Sequence, residues 1–123
     1  MFQIKQVTLT PQNIALMIAN TPAPPYYAVI FTSVKTVNDL GYSEMAEKMF
    51  ELAQKQEGFL GIESAREELG ITVSYWRDLE SIKNWKNNLD HSIARKKGKT
   101  DWYSAFKTRI SIVERDYDFK KKE

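Results

Sequence analysis

The spacing of apolar residues changes between the period of a strand and the period of a helix along most of the chain. A run of aromatic and β-branched residues without a breaker predicts a first strand over 26–36. Apolar side chains then recur every three or four positions over 43–56, which predicts a helix with Ser43 as N-cap and Gly58 just beyond its end. The predicted buried stripe of this helix is Met45, Ala46, Met49, Phe50, Leu52 and Ala53.

The second half of the chain repeats the alternation. Two strands are predicted over 59–65 and 70–76, and a final strand over 106–116. Between them Asp78 can cap a second helix, whose predicted buried face is Ile82, Trp85 and Leu89. The resulting order β-α-β-β-α-β predicts a ferredoxin-like α+β fold, in which both helices cover one face of a four-stranded antiparallel sheet.

The positions of proline divide the chain. All four prolines lie within the first 25 residues, and proline removes a backbone donor that a central strand needs. We therefore predict an N-terminal extension over 1–24, one folded domain over 25–118 and a charged tail over 119–123. A chain of 123 residues suits a single domain of this kind.

Strand parity predicts that the first strand is apolar on both faces, whereas the other strands are mixed. The first strand places one apolar set on one face and a second set on the other, and a sheet covered by helices on one side only is expected to be more polar on its open side. We therefore predict a homodimer with sheets packed face to face. The two sets are Tyr27, Val29 and Phe31 on one face, and Ala28, Ile30 and Val34 on the other.

Composition narrows the chemistry. The absence of Cys excludes disulfides, thiolate zinc sites and a Cys nucleophile, and a single His excludes a histidine metal cage, so no metal site is predicted. The net charge of +2 argues against a nucleic-acid partner. No apolar run is long enough to span a membrane and the N-terminus lacks a signal-peptide pattern, so we expect a cytoplasmic protein without a membrane partner.

Four segments carry a resemblance to a known superfamily: PPYYAVIF (24–31), GYSEMAEKMFELAQKQEGFLGIESAR (41–66), GITVSYWRDLESIKNWKNN (70–88) and WYSAFKTRISIVERDY (102–117). Together they resemble the antibiotic biosynthesis monooxygenase (ABM) superfamily, and more narrowly the small bacterial ABM-domain proteins related to the haem-degrading monooxygenases. The resemblance implies a dimeric α+β barrel with a pocket between the sheet and the helices of each subunit. The superfamily is mixed in activity: some members oxidise aromatic phenols without a cofactor, others bind and cleave haem, and many have no established reaction.

The haem-cleaving members carry an Asn on the first strand, a Trp on the second helix and a ligand His ten residues later. Trp85 matches that Trp, whereas Arg95 stands at the His position and 26–36 contains no Asn. A guanidinium has no free lone pair for iron. We therefore expect no resident cofactor, with haem binding through His91 as the open alternative.

Two residues are candidates for catalysis. His91 is the only side chain with an ordinary pKa near neutrality and can act as a base, and Arg95 can stabilise a phenolate. The alternative for His91 is an exposed or capping residue at a helix end, and Lys96, Lys97 and Lys99 are expected to form a solvated basic run around Arg95.

Large flat side chains suit a pocket for a flat aromatic substrate, although Trp85 equally suits a helix core. The predicted substrate-binding residues are Phe31, Trp76, Trp85, Trp102 and Tyr103. The leading hypothesis is thus a homodimeric ABM-type monooxygenase of a small aromatic or phenolic substrate. The alternatives are a non-catalytic ligand-binding or stress-linked protein with this fold, and a haem-binding or haem-degrading protein.

Overall fold

A computed structural model describes residues 17–90 and 96–121, which are built around a four-stranded antiparallel sheet. Two helices lie within the described part, and the element order is the predicted β-α-β-β-α-β of a ferredoxin-like fold. The strands run in the spatial order β2-β3-β1-β4 and the sheet is not closed, so its assembly into a barrel stays a prediction. The elements are β1 (Tyr26–Lys35), α1 (Tyr42–Gln54), β2 (Phe59–Arg66), β3 (Leu69–Trp76), α2 (Leu79–Asp90) and β4 (Tyr103–Val113).

The register of the sheet decides which side chains face the helices. Residues directly opposite each other on neighbouring strands share a face, and Tyr27 pairs with Trp76 while Phe31 pairs with Thr72. Trp76 stacks on Trp85 of α2, so this set faces the helices. The helix-facing side of β3 carries Thr72 and Ser74, whereas its open side carries Ile71, Val73 and Tyr75.

The helix starts differ in their capping. The prediction of Ser43 as N-cap is wrong: α1 begins at Tyr42, and the preceding Gly41 adopts a left-handed conformation with φ of 81° and no side-chain cap. The prediction for Asp78 is confirmed, since its Oδ1 accepts hydrogen bonds from the Ser81 amide at 2.8 Å and the Ser81 hydroxyl at 2.7 Å. A left-handed turn favours glycine, and Gly41 therefore places the start of α1 two residues earlier than a Ser43 cap would.

The buried line of α1 also differs from the predicted stripe. Phe50 and Ala53 are buried, whereas Leu52 is 44% exposed and Ala46 is exposed. Leu52 turns toward α2, where a small cavity of about 50 Å³ separates it from Trp85. Helical spacing predicted a broad apolar stripe, but only one side of that stripe packs against the sheet and is buried.

The last strand is shifted toward the N-terminus relative to its prediction. β4 begins at Tyr103 rather than 106 and ends at Val113 rather than 116. Its N-terminal residue Tyr103 pairs with Lys35 beyond an irregularity in the register after Val34. The tertiary pairing with β1 therefore extends the strand over 103–105, a short stretch without an apolar pattern of its own.

Residues 17–25 cross the open face of the sheet at one end. The Ala19 amide donates to Glu63 Oε2 at 2.9 Å, and a Cβ at Gly61 would lie only 2.9 Å from Ala19 Cβ. The Thr21 hydroxyl donates to the Tyr26 hydroxyl at 3.0 Å, which in turn donates to Asp116 Oδ2 at 2.5 Å. These bonds tie the segment before β1 and the segment after β4 to the same end of the sheet.

Within residues 17–90 and 96–121, neither helix has the length and apolar character that crossing a bilayer would require.

Candidate functional site

One group of aromatic rings fills the space between the sheet and α2. We call Phe59, Trp76 and Trp85 the core cluster. The ring centres of Phe59 and Trp76 are 5.4 Å apart, and those of Trp76 and Trp85 are 6.0 Å apart with an interplanar angle of 27°. Trp76 is fully buried, and its indole N–H donates to the Ser74 hydroxyl at 2.9 Å. These contacts assign Trp76 to the hydrophobic core of the domain.

A second group of rings lies toward the other end of β1, where α1 begins. We call Phe31, Tyr42, Trp102, Tyr103 and Phe106 the tyrosine cluster. The ring of Phe31 lies 5.5 Å from Tyr103 and 5.4 Å from Phe106, and the ring of Tyr42 lies 5.8 Å from Tyr103 and 5.6 Å from Trp102. Phe106 is 40% exposed, so the cluster is open to solvent on one side.

Trp102 closes the inner side of this cluster. Its indole N–H donates to the Leu40 carbonyl at 3.1 Å, and its own carbonyl accepts from the Thr36 amide at 2.8 Å. The side chain is 5% exposed and meets the Tyr42 ring edge to face. These bonds attach the short π-helical turn Gly98–Trp102 to the loop that follows β1.

The two tyrosines provide hydroxyl groups inside the cluster. Tyr103 donates its O–H to the Tyr42 hydroxyl oxygen at 3.2 Å. Burial raises the pKa of Tyr103, and the hydrogen bond to Tyr42 adds to the rise. Tyr103 is therefore a neutral phenol at physiological pH and can act as a hydrogen-bond donor.

Two cations flank the ring of Tyr42. Lys35 Nζ lies 4.3 Å from the ring centre, and Arg66 Cζ lies 5.9 Å from it. Lys35 also pairs with Asp39 at 3.4 Å, so its charge is partly compensated. Two positively charged side chains, from the last residues of β1 and β2, thus lie beside the Tyr42 ring.

Arg66 reaches this position across the sheet. Its Nη2 donates to the hydroxyl of Ser33, a residue that is 1% exposed. Its Nη1 is buried and has no hydrogen-bond partner among the described residues. A Cβ at Gly70 would overlap the guanidinium, so the glycine leaves the space that the arginine occupies.

An open hollow adjoins Arg66 where β1 and β2 end. Its volume is about 570 Å³. The lining carries two positive and three negative side chains, a net charge of −1: Lys35 and Arg66 against Asp39, Glu67 and Glu68. The remaining lining residues are Val34, Thr36 and Val37.

The structure separates the residues predicted to bind substrate into two places. Phe31, Trp102 and Tyr103 meet in the tyrosine cluster, whereas Trp76 and Trp85 belong to the core cluster. The candidate base His91 and the candidate cation Arg95 lie outside the described residues. Of the basic run around Arg95, Lys97 is exposed and pairs with Asp101 at 3.0 Å.

Sequence reasoning did not identify Ser33, Tyr42, Arg66 and Gly70 as site residues. The available signal was the pairing of Arg66 with Gly70 across the predicted hairpin, because a long side chain opposite a glycine has room to lie across the sheet. The sequence shows the hairpin, but only the pairing of β1 with β3 shows that Ser33 lies directly opposite Gly70.

Comparison with known proteins gives one decisive relative. The Bacillus subtilis (strain 168) protein named "Uncharacterized protein YqjZ" is 50% identical over 100 residues, which cover 80% of this chain and 88% of that protein. The chain belongs to the YqjZ family. No protein-family model matches this YqjZ-family chain.

Solved structures share the fold of this YqjZ-family member at low sequence identity. PA3566 from Pseudomonas aeruginosa superposes with a TM-score of 0.60 at 14% identity, covering 78% of this chain and 99% of that one. A Nitrosomonas europaea protein named "Putative antibiotic biosynthesis monooxygenase" gives 0.59 at 12% identity, with 75% and 92% covered. The resemblance to the ABM superfamily is thereby confirmed at the level of the fold.

Proposed function

We propose that this YqjZ-family protein is an ABM-type monooxygenase whose small aromatic or phenolic substrate binds at the tyrosine cluster. The observation that carries the proposal is the gathering of rings from β1, α1 and β4 around a neutral phenol, Tyr103, with one side open at Phe106. A flat aromatic molecule gains both stacking area and an orienting hydrogen bond from such a surface. The fold shared with a protein named as an ABM monooxygenase supports the reaction class.

The proposed reaction needs no electron donor other than the substrate. A base removes the phenol proton, and the phenolate passes electrons to O₂. One oxygen atom bonds to a ring carbon and the other leaves as water, so that a phenol and O₂ become a quinone and water. This balance is complete without a resident cofactor, and the protein contributes orientation, exclusion of water and the base.

His91 and Arg95 are proposed as the base and the phenolate-stabilising cation on the strength of the sequence alone. Because the Tyr103 O–H is donated to Tyr42, the Tyr42 hydroxyl is proposed to donate the hydrogen bond that orients the substrate oxygen. Phe31 and Phe106 are proposed as the walls that exclude water from the reacting ring.

This chain lacks two of the three functional residues that the haem-cleaving members carry. The single match, Trp85, stacks on the buried Trp76 in the core cluster. Arg95 replaces the ligand His, and 26–36 lacks the Asn. We derive no step through haem, and a haemin titration with and without His91→Ala tests that choice through the Soret band.

A homodimer is part of the proposal, and the open face of the sheet supports it. The described residues there are more apolar than a solvated face requires: Ala28, Ile30, Val34, Ile71 and Val73. Val34 is 40% and Ile71 is 42% exposed in the single chain. Sedimentation of the wild type and of Ile71→Glu tests this, with a dimer expected for the first and a monomer for the second. Action in the cytoplasm stays a prediction from the sequence.

Oxygen consumption tests the proposed activity. Purified protein is given a panel of naphthols and reduced quinols in an oxygen-electrode cell, and quinone formation is followed by absorbance. We expect uptake of one O₂ for each quinone formed, and a loss of at least tenfold in kcat/KM for Phe31→Ala. Binding of the panel without any oxygen uptake would instead favour the non-catalytic ligand-binding protein.

A further inference from the structure

One row of residues crosses the helix-facing side of the sheet from edge to edge. Arg66 on β2 is opposite Gly70 on β3, Gly70 is opposite Ser33 on β1, and Ser33 is opposite Phe106 on β4. Opposed residues share a face, so all four belong to the same side. The Arg66 side chain follows this row over Gly70 until Nη2 reaches the Ser33 hydroxyl.

The arrangement holds a guanidinium in one position but leaves part of it unsatisfied. Ser33 satisfies Nη2, whereas Nη1 is buried and has no partner among the described residues. An unpaired buried donor on a charged group costs more than an ordinary lost hydrogen bond, so native proteins usually provide a partner. A ligand oxygen that accepts from Nη1 would be that partner.

The neighbouring groups indicate what kind of oxygen this is. Tyr42 presents its ring to the guanidinium, and the next row of the sheet carries the Ser64 and Thr72 hydroxyls, which are already hydrogen-bonded to each other at 2.8 Å. No described carboxylate pairs with Arg66. The positive charge is therefore free to bind an anionic oxygen that is attached to a ring resting on the tyrosine cluster.

We infer that Arg66, held in the space left by Gly70, is the specificity-determining residue for an aromatic monoanion, a phenolate or a carboxylate. The inference rests on the aromatic pocket proposed above and names the charge of its substrate. The hollow beside Arg66 carries a net charge of −1, which disfavours a multiply charged anion such as phosphate. A single anionic oxygen on an aromatic ring satisfies both the guanidinium and the rings.

Matched charged and neutral probes test the inference by calorimetry at pH 7. We expect the wild type to bind 2-naphthoate at least tenfold more tightly than 2-naphthamide, and inorganic phosphate to show no saturable binding. Arg66→Gln replaces the charge with a shorter neutral amide and should erase the preference, with the affinity for 2-naphthamide changed by less than twofold. Arg115→Gln makes the same chemical change at an exposed position beyond β4 and should leave both affinities unaltered.

Gly70→Ala supplies a second variant that keeps the arginine. The added methyl displaces the guanidinium, which is the flexible end of its side chain, so the fold should persist while the preference falls several-fold.

A third probe, 4-nitrophenol, distinguishes a phenolate from a carboxylate as the bound anion. Binding of its phenolate at Arg66 should lower the apparent pKa of this phenol in the wild type and not in Arg66→Gln. A preference confined to 2-naphthoate would identify a carboxylate, and one confined to 4-nitrophenol a phenolate.

Equal affinity of the wild type for 2-naphthoate and 2-naphthamide, together with an unshifted apparent pKa of 4-nitrophenol, would overturn the inference, as would failure of all three probes to bind. Oxygen uptake from neutral phenols with no charge preference would overturn it while leaving the proposed function intact. A charge preference that depends on Arg66, without oxygen uptake from any phenol, would support the inference and overturn the proposed monooxygenase.

Discussion

The core cluster and the tyrosine cluster are built from the same kinds of side chain but differ in their surroundings. Trp76 in the core cluster has no exposed surface, and its single polar atom is satisfied by Ser74. The tyrosine cluster combines an exposed ring, Phe106, with a neutral phenol and an adjacent guanidinium whose Nη1 has no partner in the described part of the chain. Aromatic residues alone therefore do not identify a binding site, and the proposal for the tyrosine cluster rests on its unsatisfied polar atom as well as its rings.

The largest expected difference between the clusters is in stability. Trp76→Ala should lower the free energy of unfolding by about 3–5 kcal/mol, because it removes a fully buried ring and leaves a cavity. Urea denaturation followed by circular dichroism measures the change. Trp76→Phe retains a ring and should cost clearly less, and a loss below about 1 kcal/mol for Trp76→Ala would contradict the assignment of Trp76 to the core.

Phe31→Ala should affect binding more than Trp76→Phe does. Phe31 contacts both Tyr103 and Phe106, so its removal opens the proposed binding surface, and we expect at least a tenfold loss of 2-naphthol affinity, or about 1.4 kcal/mol. Quenching of tryptophan fluorescence reports the binding. Equal loss in a core variant of the same stability would show that the clusters do not differ in function.

Two half-buried tyrosines, Tyr75 and Tyr103, should contribute a pH dependence of stability above pH 10. Burial raises the pKa of Tyr103, and burial together with the hydrogen bond to Glu63 raises the pKa of Tyr75. A raised pKa means that the folded state keeps protons that the unfolded state has lost, so this stability is complete below about pH 10 and falls as the pH rises further. Urea denaturation at pH 9 and pH 11 should show a smaller decline in Tyr103→Phe than in the wild type.

The smallest effect concerns the start of the helix that carries Trp85. Hydrogen bonds from Ser81 hold the pKa of Asp78 below its usual range. A lowered pKa stabilises the fold above the ordinary carboxyl pKa of about 3.9, and this stabilisation is lost as the pH falls through the folded value. Asp78→Ala should therefore lower the Tm by a few degrees at pH 7, and the difference from the wild type should shrink as the pH falls below the ordinary carboxyl pKa.

Asp78→Ala should leave the 2-naphthol affinity unchanged, because the helix that Asp78 caps supports the core cluster. A decrease as large as that of Phe31→Ala would contradict this expectation. This comparison tests whether α2 acts on the binding surface through the sheet. An unchanged affinity together with a lowered Tm would confirm that the two clusters are independent.

The order of elements could be predicted because each carries its own period of apolar residues. The hairpin between β2 and β3 and the cap at Asp78 followed from local sequence alone. The start of α1 could not, since Gly41 adopts a left-handed conformation that replaces a side-chain cap. Local signals of this kind are reliable where no tertiary contact competes with them.

The candidate site was only partly predictable. Phe31, Trp102 and Tyr103 were recognised as large rings, but residue type could not separate them from Trp76 and Trp85. That separation depends on which strand end each ring occupies and on the position of α1. Arg66 was missed because its role comes from the register of three strands rather than from its neighbours in sequence.

The row that carries Arg66 also has an evolutionary consequence. A side chain at position 70 and an arginine folded across it compete for the same space, so neither position is free to vary without regard to the other. In sequences of the YqjZ family, a residue larger than glycine at position 70 should accompany the loss of arginine at position 66. A larger side chain at position 70 is thus compatible with the fold only where the side chain at position 66 is shorter or lies elsewhere.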